Sequence, residues 1–136
     1  MSLLRWKDEY LTQVEEIDGQ HRRLAQHING IHDLLRSGRG QTALAEALGE
    51  LVAYTKFHFA SEESLMEKTA YAGREDHESE HKRLLGEIVE LRHSVLDGHT
   101  VASVELIRFL KNWLLTHFQG ADKLLAQHLL ARPATR

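Results

Sequence analysis

Along this chain apolar residues recur at alternating steps of four and three. The first series is Ile17, His21, Leu24, Ile28, Ile31 and Leu35; the second is Leu44, Leu48, Leu51, Thr55, His58, Glu62, Leu65 and Thr69. A third runs His77, His81, Leu84, Ile88, Leu91 and Val95, and a fourth Ser103, Ile107, Leu110, Leu114 and His117. This spacing keeps one stripe of an α-helix turned toward its neighbours, and no strand-like alternation competes with it. Asp18 reads as the N-cap of the first helix. The series are punctuated by Ser37-Gly38, by Tyr71-Ala72-Gly73, where Gly73 is expected to supply the flexible backbone, and by Asp97-Gly98. Gly38-Arg39-Gly40-Gln41 lacks the lysine and hydroxyl of a phosphate-binding loop and reads as an interhelix turn. The pattern predicts helices over 17–37, 42–68, 75–96 and 101–130. Four such helices with short connections must alternate in direction, so the expected fold is all-α, an antiparallel up-down-up-down four-helix bundle. Residues 1–16 hold no sustained stripe and are expected to form an N-terminal arm anchored by Trp6.

Composition narrows the function classes. A chain of 136 residues, 42% hydrophobic and 27% charged, has the length and balance of one globular domain, read here as 1–136. The single proline, Pro133, leaves the helices uninterrupted. No cysteine is present, which excludes disulfides and thiolate metal sites. The N-terminus is charged and no run reaches the ~20 apolar residues of a membrane span, so the expected location is cytoplasmic, with no membrane partner. Net charge is -3 and the basic residues are scattered, which argues against nucleic acid. The ten histidines stand out. An excess of imidazole points to a metal or a pH switch.

Five histidines occupy stripe positions where leucine or isoleucine would be expected: His21, His58, His77, His81 and His117. Glu62 shares their stripe and Asp122 follows His117 by five residues. In an antiparallel bundle the starts of helices one and three lie beside the ends of helices two and four, so all seven donors gather at one end. Asp122 lies about 140° around an ideal helix from His117, so the fourth helix should be irregular near Gly120 for both to face inward. A lone histidine on an apolar face is more often a hydrogen-bonded core residue than a ligand, but converging buried imidazoles and carboxylates need a partner. Zinc favours four ligands and calcium or magnesium mostly oxygen, whereas imidazoles with two carboxylates suit a pair of six-coordinate iron ions. If both carboxylates and a hydroxide bridge the pair, one coordination position stays open.

The segments Ile17-Asp18-Gly19-Gln20-His21, His58-Phe59-Ala60-Ser61-Glu62-Glu63, His77-x3-His81 and Trp113-Leu114-Leu115-Thr116-His117-x4-Asp122 resemble the hemerythrin family. The length and N-terminal motif are most similar to its bacterial members. The resemblance implies a non-heme di-iron centre, bridged by carboxylates and an oxo or hydroxo group, that binds dioxygen reversibly for storage, delivery or sensing. By position, one iron falls to His77, His81 and His117 and the other, with the open position, to His21 and His58, with Glu62 and Asp122 bridging. It further implies an oxygen pocket of Leu24, Phe59, Trp113, Leu114 and Phe118. Two departures are visible: Ala72 stands where many relatives have proline, and Phe118 where a smaller aliphatic is common, which would narrow the pocket.

The remaining histidines read otherwise. His27, His93 and His99 are expected to be solvated, His32 and His128 lie too far along their helices to be ligands, and Glu63 points about 100° away from Glu62, toward the surface. The expected activity is binding rather than catalysis. The alternative is a di-iron enzyme using the same site, such as a weak peroxidase, an oxidase or a protein handling NO or peroxide, with NO and other small anions as further ligands. Ferritin-like sites take their two Glu-x-x-His strings from separate helices, whereas here Glu78-Ser79-Glu80-His81 and Glu90-Leu91-Arg92-His93 both fall in the third predicted helix, and the histidine excess points away from that plan. A metal-free interaction bundle with a downstream protein partner is the third class.

Overall fold

In the computed structural model, which describes residues 10–38, 40–99 and 104–131, the chain folds into a four-helix bundle with no strand among the described residues. Helix α1 spans Glu15–Arg36, α2 Gln41–Lys68 and α3 Arg74–Leu96. The fourth rod comes in two pieces, α4 Val104–Gln119 and α5 Ala121–Ala131. Helix α2 packs against both α1 and α3, and α4 closes back on α1. Trp113 ties α4 to α3 by donating its indole N–H to the Leu84 carbonyl at 2.8 Å. Trp6 and the expected start of the fourth helix at 101–103 lie outside the described residues.

The helix ends differ from expectation in physically clear ways. The first helix starts earlier than Asp18, at Glu15, with Val14 in extended conformation before it. Asp18 is buried inside the first turn, where its carboxylate accepts from Thr12 N and Oγ1 at 2.8 and 2.7 Å and from Gln13 N at 3.2 Å. Its acceptors tie down the incoming segment instead of the helix's own amides. Past Lys68 the left-handed residue is Ala70 (φ 51°), not Gly73 (φ -84°). A Cβ on Gly73 would fall 2.9 Å from the tip of the Tyr71 ring, so a side chain there would require that ring to move. The stripe of α2 also widens at its end: Met66 is fully buried, and Leu65 and Thr69, expected to face inward, are half-buried.

The interior is divided. A large apolar cluster runs through Leu24, Ile28, Leu48, Leu51, Leu84, Ile88, Leu110 and Leu114. A small one, Ile17, Met66 and Leu125, closes the opposite end, with Val14, Leu65, Tyr71 and Leu129 packed against it. Between these clusters, by helix register, lies a layer of buried histidines and carboxylates.

Candidate metal centre

Each helix presents its polar side chains at the level of that layer. Helix α1 brings His21, α2 brings His58 and Glu62 one turn apart, α3 brings His77 and His81, and α4 brings His117. Asp122 comes from α5, because the rod breaks at Gly120. The Gly120 amide still donates to Thr116 O at 3.2 Å, and its own carbonyl then accepts from both Lys123 N (3.2 Å) and Leu124 N (3.4 Å). A Cβ on Gly120 would meet Thr116 O at 2.9 Å, so glycine permits the close approach that turns Asp122 inward.

All seven side chains are at least 97% buried. Their donor atoms form two groups, one of His21, His58, Glu62, His117 and Asp122, the other of Glu62, His77, His81 and Asp122. The two carboxylates belong to both. Glu62 turns Oε1 to His77 (3.1 Å) and His81 (2.9 Å), and Oε2 to His58 (3.0 Å). Asp122 turns Oδ1 to His77 (3.1 Å) and Oδ2 to His117 (2.6 Å) and His21. Each carboxylate thus spans two clusters of imidazole nitrogen. The His117 donor falls with His21 and His58, whereas the family resemblance implies a place beside His77 and His81.

The chemistry of this donor set fits a cation. Glu62 Oε2 and Asp122 Oδ1 are buried and make no hydrogen bond of acceptable geometry, although imidazole nitrogens stand within 3.0 and 3.1 Å of them. The Nε2 atoms of His58 and His117 face each other at 2.9 Å. Positive charge between them, carried by protons or by a metal cation, satisfies such an arrangement of lone pairs.

The electrostatics agree. Burial alone would raise the Glu62 carboxyl, but the surrounding imidazoles of His58, His117 and His21 outweigh it and hold the group well below its ordinary value. Burial and the neighbouring Glu62 charge would raise Asp122, yet His117 and His21 bring it down. Burial opposes the charged forms of His58 and His77, but Glu62 and Asp122 lift both to about 9. His21 is raised by the same carboxylates against its burial. For His117 burial prevails and the imidazole is lowered.

A surrounding shell fixes the rings. His58 Nδ1 donates to Gln20 Oε1 at 2.7 Å, Gln20 Nε2 donates to Ser61 Oγ at 3.1 Å, and Ser61 donates to Glu16 at 2.9 Å. His81 Nδ1 donates to Glu63 Oε2 at 2.8 Å. Glu63 is therefore not a plain surface residue: its carboxylate, 39% exposed, reaches back across the α2–α3 contact. A helical-wheel angle could not reveal this, because the partner sits on another helix. Phe59 stacks on His81 with centroids 3.8 Å apart, and Phe118 stacks on His21 at 4.0 Å. Leu24, Phe59, Trp113, Leu114 and Phe118 are all buried.

The other histidines stay apart from the cluster. His93 and His99 are exposed, and His32 is half-buried. His27 is half-buried with its ring near Tyr54, not solvated as expected. His128 binds Thr69 through its carbonyl (3.2 Å) and hydroxyl (3.1 Å). No helix among the described residues is long and apolar enough to cross a membrane.

Comparison with known proteins gives a consistent result. Residues 12–129 match the family model of the hemerythrin HHE cation binding domain. The chain is 37% identical over 122 residues to a bacteriohemerythrin of Pseudomonas aeruginosa, covering 90% of this chain and 78% of that protein. It is 32% identical over 132 residues to a bacteriohemerythrin of Methylococcus capsulatus, covering 96% and 100%. A crystal structure of wild-type hemerythrin superposes with a TM-score of 0.86 at 30% identity, covering 96% of this chain and 100% of that one.

Proposed function

The chain belongs to the hemerythrin family, and from that premise we propose that its buried cluster holds two non-heme iron ions and that the protein binds dioxygen reversibly. The observation that carries this reading is the sharing of Glu62 and Asp122 between two groups of imidazole nitrogen. His77 and His81 would hold one ion and His21 and His58 the other, with Glu62, Asp122 and His117 completing the donor set. When bound, the iron pair would supply two one-electron equivalents to a small ligand.

The chain's own residues do the rest. Gln20 and Glu63 each take the Nδ1–H of a histidine, which leaves the Nε2 of His58 and His81 free to point inward. Phe118 and Phe59 hold the ring planes of His21 and His81. Leu24, Trp113 and Leu114 form an apolar lining that excludes water, and Ile17, Met66 and Leu125 seal the bundle end. Dryness matters because water and free protons favour loss of a reduced oxygen species over release of dioxygen.

Anaerobic reduction followed by air, with visible absorption and metal analysis, tests the reading. Two irons per chain and an absorption band that appears with air and disappears under vacuum are expected. Irreversible conversion to a ferric form with consumption of peroxide would instead make the protein an enzyme of the same centre. Absence of iron after growth in iron-replete medium would remove both.

A further inference from the structure

Immediately inside the histidine layer, helix register sets a second layer of four positions. Leu24, Thr55, Leu84 and Leu114 lie three residues from His21, His58, His81 and His117 respectively, all on the side of the large apolar cluster. Their exposures are 0, 0, 1 and 0%. Three are leucines and the fourth carries a hydroxyl.

That hydroxyl has no partner: Thr55 Oγ1 is buried and makes no hydrogen bond. A threonine within a helix ordinarily satisfies itself on the carbonyl four residues back. Thr69, on the same helix, does so, donating to Leu65 O at 2.7 Å. Thr55 does not. The indole N–H of Trp113, next to Leu114 in the chain, is committed to the Leu84 carbonyl. An unpaired hydroxyl at such depth is destabilising, and valine would fill the same space without that cost.

We propose that the Thr55 hydroxyl is the hydrogen-bond donor of the small-ligand pocket, reaching the far atom of a dioxygen molecule or small anion held beside His58. The inference rests on the proposed iron site and adds a specificity determinant to it. A hydroxyl suits this role better than a carboxylic acid or an imidazolium: it donates one hydrogen bond to an electron-rich ligand atom and keeps its proton at neutral pH. Ligands with an acceptor atom at their outer end are thereby favoured over ligands lacking one.

The test compares wild type with Thr55→Val and Thr55→Ser, using azide as the probe on the oxidised, iron-loaded protein and thermal unfolding on iron-stripped protein. Azide should bind about three- to tenfold more weakly to Thr55→Val, and Thr55→Ser should restore most of the loss. Stripped of iron, Thr55→Val should unfold at the same temperature as wild type or higher. Unchanged azide affinity in an iron-replete Thr55→Val protein would overturn the inference while leaving the iron site standing. A lower unfolding temperature for Thr55→Val would also overturn it, by showing that the hydroxyl has a structural partner. Failure of wild type to bind iron would instead strike the underlying reading.

Discussion

His58 Nε2 and His117 Nε2, carried by α2 and α4, stand 2.9 Å apart with both carboxylates beside them. Two neutral imidazoles could share one proton, but the five converging histidines and two carboxylates form more such pairs than protons would neutrally serve. Cations resolve the whole set at once. His117→Ala and His77→Ala should therefore each lose most of the iron, whereas His93→Ala, at an exposed position of α3, should retain it. Metal analysis of the three purified variants decides this. Equal iron in all of them would mean the cluster is not the binding site.

Removing the metal should leave a protein with an unusual pH dependence. His58 and His77 are raised to about 9 in the fold against 6.5 ordinarily. Their contribution is fully present below pH 6.5 and is lost as pH rises through about 9. Glu62 and Asp122 are lowered, so their contribution is present above their ordinary values of 4.5 and 3.8 and is lost on acidification. Iron-stripped protein should thus be most stable between about pH 4.5 and 6.5 and lose stability toward pH 9. Iron requires neutral imidazoles and displaces those protons, so loaded protein should not weaken in that alkaline window. Thermal unfolding of both forms at pH 6 and pH 9 measures the difference; identical behaviour would contradict the charge pattern described for the cluster.

The shell around the histidines should tune affinity without supplying ligands. Glu63→Gln keeps size and a hydrogen-bond acceptor for His81 but removes the charge, while Gln20→Ala removes the acceptor for His58 altogether. Each is expected to weaken iron retention against a chelator by about tenfold, in the usual range for groups that orient metal-bound histidines. Helix content should be unchanged by circular dichroism. Retention equal to wild type in both variants would make these bonds incidental.

The sequence made the bundle legible because the four-three rhythm depends only on helical geometry and burial, and His21, His58, His77, His81 and His117 interrupt it at one level. The break at Gly120 was also legible, since two inward-facing residues five apart cannot share the face of a regular helix. What escaped was set by contacts between elements. Asp18 has the composition of a cap, but the described chain before it bends so that Thr12 and Gln13 use the carboxylate. Glu63 and Gln20 lie off the stripes, and only the packed helices reveal that His81 and His58 lean on them. The burial of Met66 beside Leu65 follows from closing the bundle end against Ile17 and Leu125, a constraint no single helix records.

Gly120 should tolerate no side chain. A Cβ would sit 2.9 Å from Thr116 O, a backbone atom that cannot rotate away. Gly120→Ala must shift either the last turn of α4, which carries His117, or the first turn of α5, which carries Asp122. A cost of about 1–3 kcal/mol in stability is expected, together with loss of iron. Chemical denaturation alongside metal analysis checks both parts. A fully loaded, equally stable Gly120→Ala protein would show that the break can be made without glycine.

Phe118 offers the sharpest probe of access. Its ring lies parallel to His21 at 4.0 Å, edge-on to Tyr10 at 6.0 Å, and is fully buried. Phe118→Leu would leave a void beside the histidine assigned to the ion with the open position, and the lost packing should cost about 1–3 kcal/mol. The same void should let small ligands in faster and give water a place to stand. Stopped-flow mixing with azide should therefore show a higher association rate than wild type, and the oxygen adduct should decay sooner to the ferric form. If the rate falls instead, Phe118 guides ligands rather than obstructing them; if both rates stay the same, it packs the core beside the centre without touching the route in.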